Sequence, residues 1–223
     1  NMIDVVIPVK DLSKAKQRLQ SVLTTNERAI LVLAMLRDLL TTLNKCALGN
    51  IWLVAHDDAV LDLGSEFGTK NIRESLSKGY NHAVSKGLNA IEPHRSVIVL
   101  PADLPLAQPQ DISRFIRAGI GNGPRFAIVP DRQNRGTNGL YMSSPDLIKP
   151  NFGESSFLNH KKASAKIGIS ATVVSIDTMA IDVDGVEDLL RVVRSGLRNV
   201  TIDFLESSSF RQKLQNLQKW EAA

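Results

Sequence analysis

Residues 3–10 read Ile3-Asp4-Val5-Val6-Ile7-Pro8-Val9-Lys10. A run this dense in β-branched aliphatic residues leaves almost no polar face, as in a strand covered on both sides. Ile51–Ala55 and Val97–Leu100 have the same character, and Phe126–Val129 and Thr172–Ile176 are further candidate strands. Segments of helical spacing lie between them: Asn26–Leu43, Asp57–Phe67, Tyr80–Ile91, Gln110–Ala118 and Gly185–Arg194. The first follows Thr24, with Glu27 placed to complete a capping box. This alternation predicts an α/β fold, a mainly parallel mixed sheet flanked by helices on both faces. Such sheets bind ligands at the C-terminal ends of their strands, so the residues directly after each strand carry the chemistry.

The chain's 223 residues suit one α/β domain, expected over 2–223 with a helical extension from about 198 onward. Thr201–Trp220 has the helical pattern, interrupted at Ser207–Ser209. Asn1 stands before Met2 and is expected to be foreign to the native start. With 43% hydrophobic and 22% charged residues the composition is that of a folded domain, which excludes a disordered chain. An aromatic content of 5% speaks against the stacking platforms that bind single-stranded nucleic acid. The net charge of +4 suits a small anionic substrate as well as it suits nucleic acid. One cysteine, Cys46, excludes an internal disulfide and a cysteine-rich zinc site, and a cytoplasmic location is expected. The apolar run Ala29–Leu36 falls far short of the ~18 residues of a membrane span, and no signal peptide is expected, since the first residues lack a cationic-then-apolar pattern. Because that run is apolar all round, its helix is expected in the core or in the interface of a homodimer.

Four cations, Lys10, Lys14, Lys16 and Arg18, come after the first strand. A triphosphate needs such a cluster for neutralisation and forked Arg contacts, although a solvated basic loop has the same look. Neither G-x-x-x-x-G-K-[ST] nor G-x-G-x-x-G is present at that junction, which disfavours a P-loop or a dinucleotide-binding enzyme. The strand Val97–Leu100 leads into Pro101-Ala102-Asp103-Leu104-Pro105, one carboxylate on a proline-stiffened turn. A hard cation beside nucleotide phosphates takes one or two such acids, while a turn cap is the plain alternative. In Ile181-Asp182-Val183-Asp184 the acids alternate, so an extended backbone would turn both to one side; acids opening a helix are equally ordinary.

Pro130–Gly139 is a polar loop in which Arg132, Arg135 and the amides around Gly136 form either an anion nest or a plain hairpin. Phe152–Phe157 has the pattern of a helix start, an anion site or an ordinary cap. His56, His82, His94 and His160 lack metal-ligand spacing.

Taken in order, these segments resemble the 2-phospho-L-lactate guanylyltransferase family of coenzyme F420 biosynthesis. The motifs are Ile7-Pro8-Val9-Lys10 with Lys16 and Arg18, Gly79-Tyr80-Asn81, and Ala102-Asp103-Leu104-Pro105. They continue with Asp131-Arg132, Gly136-Thr137-Asn138, Phe152-Gly153, Ser156-Phe157 with His160, and Asp182-Val183-Asp184, spanning about residues 2–195. The resemblance implies a nucleotide-diphospho-sugar transferase (glycosyltransferase-A-like) fold and transfer of GMP from GTP to 2-phospho-L-lactate. It implies that Lys10, Lys16 and Arg18 hold the triphosphate and act in catalysis with Asp103. Gly79 and Asn81 would lie near the guanine. Asp103, Asp182 and Asp184 would hold Mg²⁺. Arg132, Thr137, Asn138, Gly153 and Ser156 would bind the acceptor. Tyr80, Gly139 and Ser155 stand where the family more often has Leu, Ala and Gly. A molybdopterin guanylyltransferase or sugar-nucleotide transferase of the same fold is the nearest rival, but such enzymes often open with Leu-x-Gly-Gly where this chain has Pro8-Val9-Lys10. Phosphoenolpyruvate and 3-phosphoglycerate are rival acceptors, and a nucleic-acid-binding domain is a distant alternative resting on charge alone.

Overall fold

The computed structural model describes residues 2–76, 78–207, 210, 211 and 213. Its strands are β1 (Ile3–Pro8), β2 (Ile51–Ala55), β3 (Lys70–Arg73), β4 (Ser96–Val99), β5 (Phe126–Pro130), β6 (Thr137–Met142) and β7 (Thr172–Val173). They form one sheet in the order β3-β2-β1-β4-β6-β5-β7. Val5 of β1 lies opposite Ile51 of β2 and Ile98 of β4, both in parallel register. β6 runs antiparallel to β4 and β5. Its first residues, Thr137 and Asn138, therefore arrive at the edge where the parallel strands end.

The helices are α1 (Thr25–Leu43), α2 (Asp58–Glu66), α3 (Tyr80–Asn89), α4 (Pro109–Gly119), α5 (Ser156–Lys166), α6 (Val186–Arg194) and α7 (Val200–Leu205). Strand alternation divides the core in two. Ile3, Val5, Ile7, Ile98 and Leu100 face the layer that includes α1, α2, α4, α6 and α7, whereas Val6, Val97 and Val99 face the layer of α3 and α5. A β-carbon on Gly87 would stand 2.4 Å from Val6 Cγ1, so only glycine lets α3 lie this close to β1. That approach holds the start of α3 beside the end of β1.

The capping box forms as expected: Glu27 N donates to Thr24 Oγ1 at 3.2 Å and Thr24 N to Glu27 Oε2 at 2.8 Å. The apolar stretch of α1 serves mainly as core. Leu31, Met35 and Leu36 are fully buried, and Ile30, 41% exposed, is the large residue left outside. Asp38 of α1 then anchors α7, accepting from Val200 N (2.9 Å), Thr201 N (2.8 Å) and Thr201 Oγ1 (2.5 Å). The expected helix reaching Trp220 is seen here as α7; most residues beyond Ser207 lie outside the described ones.

Three strands differ from expectation. β3 is a charged, largely exposed edge strand without an apolar alternation to reveal it. β6 is wholly buried, although its first three residues, Thr137-Asn138-Gly139, look like loop. Gly139 fits because a β-carbon there would press on Phe115 at 3.0 Å. The strand expected over Thr172–Ile176 shrinks to the two residues of β7.

Candidate active site

A cleft of about 620 Å³ opens at the C-terminal edge of the sheet. Lys10, Lys14, Lys16 and Arg18 line it from the loop after β1, Asp103 from the loop after β4, and Thr137 and Asn138 from β6. Gly153 and Ser156 enter at the start of α5, and Asp182 and Asp184 from the segment before α6. Val183 N donates to Asp103 O at 3.2 Å, so the two acid-bearing segments lie side by side.

The acids sit in different environments. Asp103 pairs with Lys16 through one oxygen, while its Oδ1 is buried without a partner among the described residues. Lys16 reaches this position from a left-handed backbone, φ 52°, a strained conformation for a residue with a side chain. Asp182 is half-buried, and burial together with the neighbouring Asp103 charge pushes its pKa up to about 6. Asp184 is half exposed and holds Arg18 Nη1 at 2.8 Å, a surface pair of little energetic weight. The alternate acids thus share the cleft without sharing a surrounding. Among the described residues no group of three or more His, Cys, Asp or Glu forms a ready metal cage. Mg²⁺ beside a nucleotide takes only one or two carboxylates, its other ligands being phosphates and water. A buried, unpartnered Asp103 oxygen next to Asp182 fits that requirement.

On the other wall, Thr137 Oγ1 lies 3.0 Å from His160 Nδ1, and Asn151 N donates to His160 Nε2 at 2.9 Å. Nε2 must therefore be the bare nitrogen, and Nδ1–H donates to Thr137. The Thr137 hydroxyl proton is left free for a ligand. Burial holds the His160 pKa down at about 4, so the ring is neutral at pH 7. Phe152 packs edge-on between Tyr80 (ring centroids 5.1 Å apart) and His160 (4.8 Å).

Several expected contacts come out differently. Asn138 lines the cleft but donates its amide to Met179 O (2.9 Å) and Asp182 Oδ1 (3.0 Å), so it also positions Asp182. Asn81 does not line the cleft; it exchanges two hydrogen bonds with the Phe152 backbone, at 2.7 and 3.0 Å, and so fixes the residue before Gly153. Gly79 also lies off the cleft lining and supplies the φ of 97° that starts α3. Arg132 is exposed on its loop and does not line the cleft either. Part of the anion nest expected there is filled by the chain itself, although Gly136 does line the cleft. Asp131 Oδ1 accepts from Gln133 N (3.1 Å) and Arg135 N (2.8 Å). The first amides of α5 are used as well, Ser156 N by Gly153 O and Phe157 N by Arg135 O, both at 3.0 Å. Tyr80 and Phe152, which belong to two of the motifs but carried no expected role, also line the cleft.

Known proteins resemble this chain over most of its length. A phosphoenolpyruvate guanylyltransferase of Rubrobacter xylanophilus is 35% identical over 198 residues, 86% of this chain and 93% of that protein. A 2-phospho-L-lactate guanylyltransferase of Methanocaldococcus jannaschii is 31% identical over 204 residues, 91% and 88% of the two chains. A crystal structure from Desulfovibrio desulfuricans G20, described as a nucleotide-diphospho-sugar transferase, superposes with a TM-score of 0.67 at 18% identity. It covers 94% of this chain and 97% of that one, and the likeness carries the fold alone. Residues 3–221 match the family described as "Guanylyl transferase CofC like", and the chain, a guanylyltransferase by sequence, belongs to that family.

Proposed function

We propose that the chain transfers GMP from GTP to the phosphate of 2-phospho-L-lactate, giving lactyl-2-diphospho-5′-guanosine and pyrophosphate, in coenzyme F420 biosynthesis. The observation that carries this reading is a single cleft with four cations on one wall, hydroxyl groups on the other, and three half-buried acids between them.

The chemistry needs charge control more than proton transfer. A phosphate monoester is mostly dianionic at pH 7, because its second pKa is about 6, so the acceptor oxygen needs no general base. His160 agrees with this, since both its nitrogens are engaged and its ring is neutral. Lys10, Lys14, Lys16 and Arg18 draw in the triphosphate and offset its repulsion of a second anion. Thr137, with its free hydroxyl proton, and Ser156 beside Gly153 receive the acceptor. Asn138 keeps Asp182 in place. Asp103 and Asp182, with Asp184 at the rim, would hold Mg²⁺. When bound, that ion supplies charge neutralisation for the triphosphate and the departing pyrophosphate.

Phosphoenolpyruvate is the second reading for the acceptor, favoured by the name of the 35%-identical relative. The two acids share a 2-phosphate and a carboxylate. We further propose a cytoplasmic homodimer acting on free nucleotides. Ile30 and half-buried Leu33 are the part of α1 left to a partner subunit, which light scattering at several concentrations would register.

Pyrophosphate release from GTP or ATP, with each of 2-phospho-L-lactate, phosphoenolpyruvate and 3-phosphoglycerate, tests the proposal. Release is expected with GTP and 2-phospho-L-lactate, abolished by a chelator and small with ATP. Faster turnover of phosphoenolpyruvate moves the assignment to that acid. No release with any phospho-acid overturns it.

A further inference from the structure

Two polar atoms in the cleft are buried without partners among the described residues: the acceptor Asp103 Oδ1 and the donor Tyr80 Oη. They do not bond to each other. A buried hydroxyl left unpaired costs free energy, and a fold keeps one where a ligand completes it. Tyr80 sits where such a ligand would pass. It lines the cleft, its ring meets Phe152 next to Gly153, and Lys10 Nζ lies 5.8 Å from its ring centre. It therefore stands between the wall assigned to the triphosphate and the wall assigned to the acceptor.

We propose that the Tyr80 hydroxyl is a further substrate contact, donating a hydrogen bond to an anionic oxygen of the bound nucleotide or phospho-acid. This rests on the guanylyl-transfer reading of the cleft. The phenol keeps its proton at every working pH, because burial, reinforced by the Asp103 and Asp182 charges, raises its pKa. The Lys16–Asp103 pair lines the same cleft. An entering phosphate draws Lys16 away from Asp103 and opens the space beside the phenol. An acceptor atom would take up the Tyr80 hydroxyl proton, and phosphate and carboxylate oxygens are the acceptors these substrates carry. The ring packing on Phe152 is a separate contribution that Phe in place of Tyr would preserve.

The test compares the full-length wild type with Tyr80→Phe, in kinetics and in calorimetric binding of Mg-GTP, phosphoenolpyruvate and 2-phospho-L-lactate. Hydrogen bonds to charged groups commonly account for about a 10-fold change or more, and that loss is expected in one arm. A loss in GTP binding and in kcat/KM for GTP assigns the contact to the nucleotide. A loss in the phospho-acid arm assigns it to the acceptor. The melting temperature is expected to stay level or rise, since an unpaired buried hydroxyl has been removed. A variant within twofold of wild type in every arm overturns the contact. A fall in melting temperature with unchanged kinetics and binding also overturns it, leaving Tyr80 a packing residue. The binding arms read the contact even if neither acid is turned over, so failure here is distinguishable from failure of the proposed reaction.

Discussion

His160 links the acceptor wall to pH. Its ring is fully buried, with Nδ1–H given to Thr137 and Nε2 taken up by Asn151 N. Its pKa is about 4 in the fold against 6.5 in an open chain, with burial as the cause. The sign depends on which state takes the proton first. Between those two values the unfolded chain binds a proton that the fold refuses, so stability is fully present above about pH 6.5 and drains away as pH falls toward 4. At about 1.4 kcal/mol per pH unit, the gap amounts to roughly 3 kcal/mol from one side chain. Protonation would also strip Nε2 of the Asn151 amide and strand a cation in the core. The assay is urea unfolding of wild type and His160→Gln at several pH values between 7.5 and 4. The substitution costs stability at pH 7.5, where its effect is one of packing. The difference between the two proteins should then shrink by about 3 kcal/mol on acidification, because the variant has nothing to titrate there. A difference that stays constant across this range would refute the burial and tautomer assigned to His160.

Asp103→Ala should lower the rate of pyrophosphate release by about 100-fold or more while the melting transition survives, and a near-wild-type rate would remove Asp103 from the site. Asn81→Ala deletes both hydrogen bonds to the Phe152 backbone, so KM for the phospho-acid should rise about 10-fold with KM for GTP moving less than twofold. The opposite pattern in steady-state kinetics would return Asn81 to the nucleotide. Asp38→Ala leaves the first amides of α7 uncapped and should cost about 2 kcal/mol in urea unfolding at pH 7, with kcat/KM of the folded protein unchanged.

The parts of the fold that were legible in the sequence are those whose pattern is local. β1, β2 and β4 are buried on both faces, so they read as nearly continuous apolar runs, broken in β1 only by Asp4. The α1 cap depends on residues three apart. β3 was illegible because an edge strand protects itself with charge, and β6 because it opens on polar residues whose partners lie far along the chain. Thr137 is satisfied by His160, and Asn138 by Asp182 and Met179. The cleft shows the same division. Strand-end placement pointed to Lys10 and Asp103, but spacing could not show that Lys16 pairs with an acid 87 positions away. Nor could it show that Asp131 turns back into its own loop and fills part of the nest with a carboxylate. The ordered set of motifs brought the cations and acids into one cleft, Lys10 and Asp103 from strand ends and Asp182 and Asp184 from the segment before α6. For Asn81 and Asn138 it could not show that each also holds another part of the protein, because such a side chain leaves the same letters as one that holds a substrate.

The central claim is that an acceptor phosphate attacks the α-phosphorus of GTP. Tracing label from [α-³²P]GTP and [γ-³²P]GTP in parallel, with 2-phospho-L-lactate and with phosphoenolpyruvate, tests it most directly. Attack at that position places α-label in a new guanosine diphospho-acid and γ-label in pyrophosphate alone. Label from the γ-position in the acceptor product, or free orthophosphate with no α-labelled adduct, would contradict it.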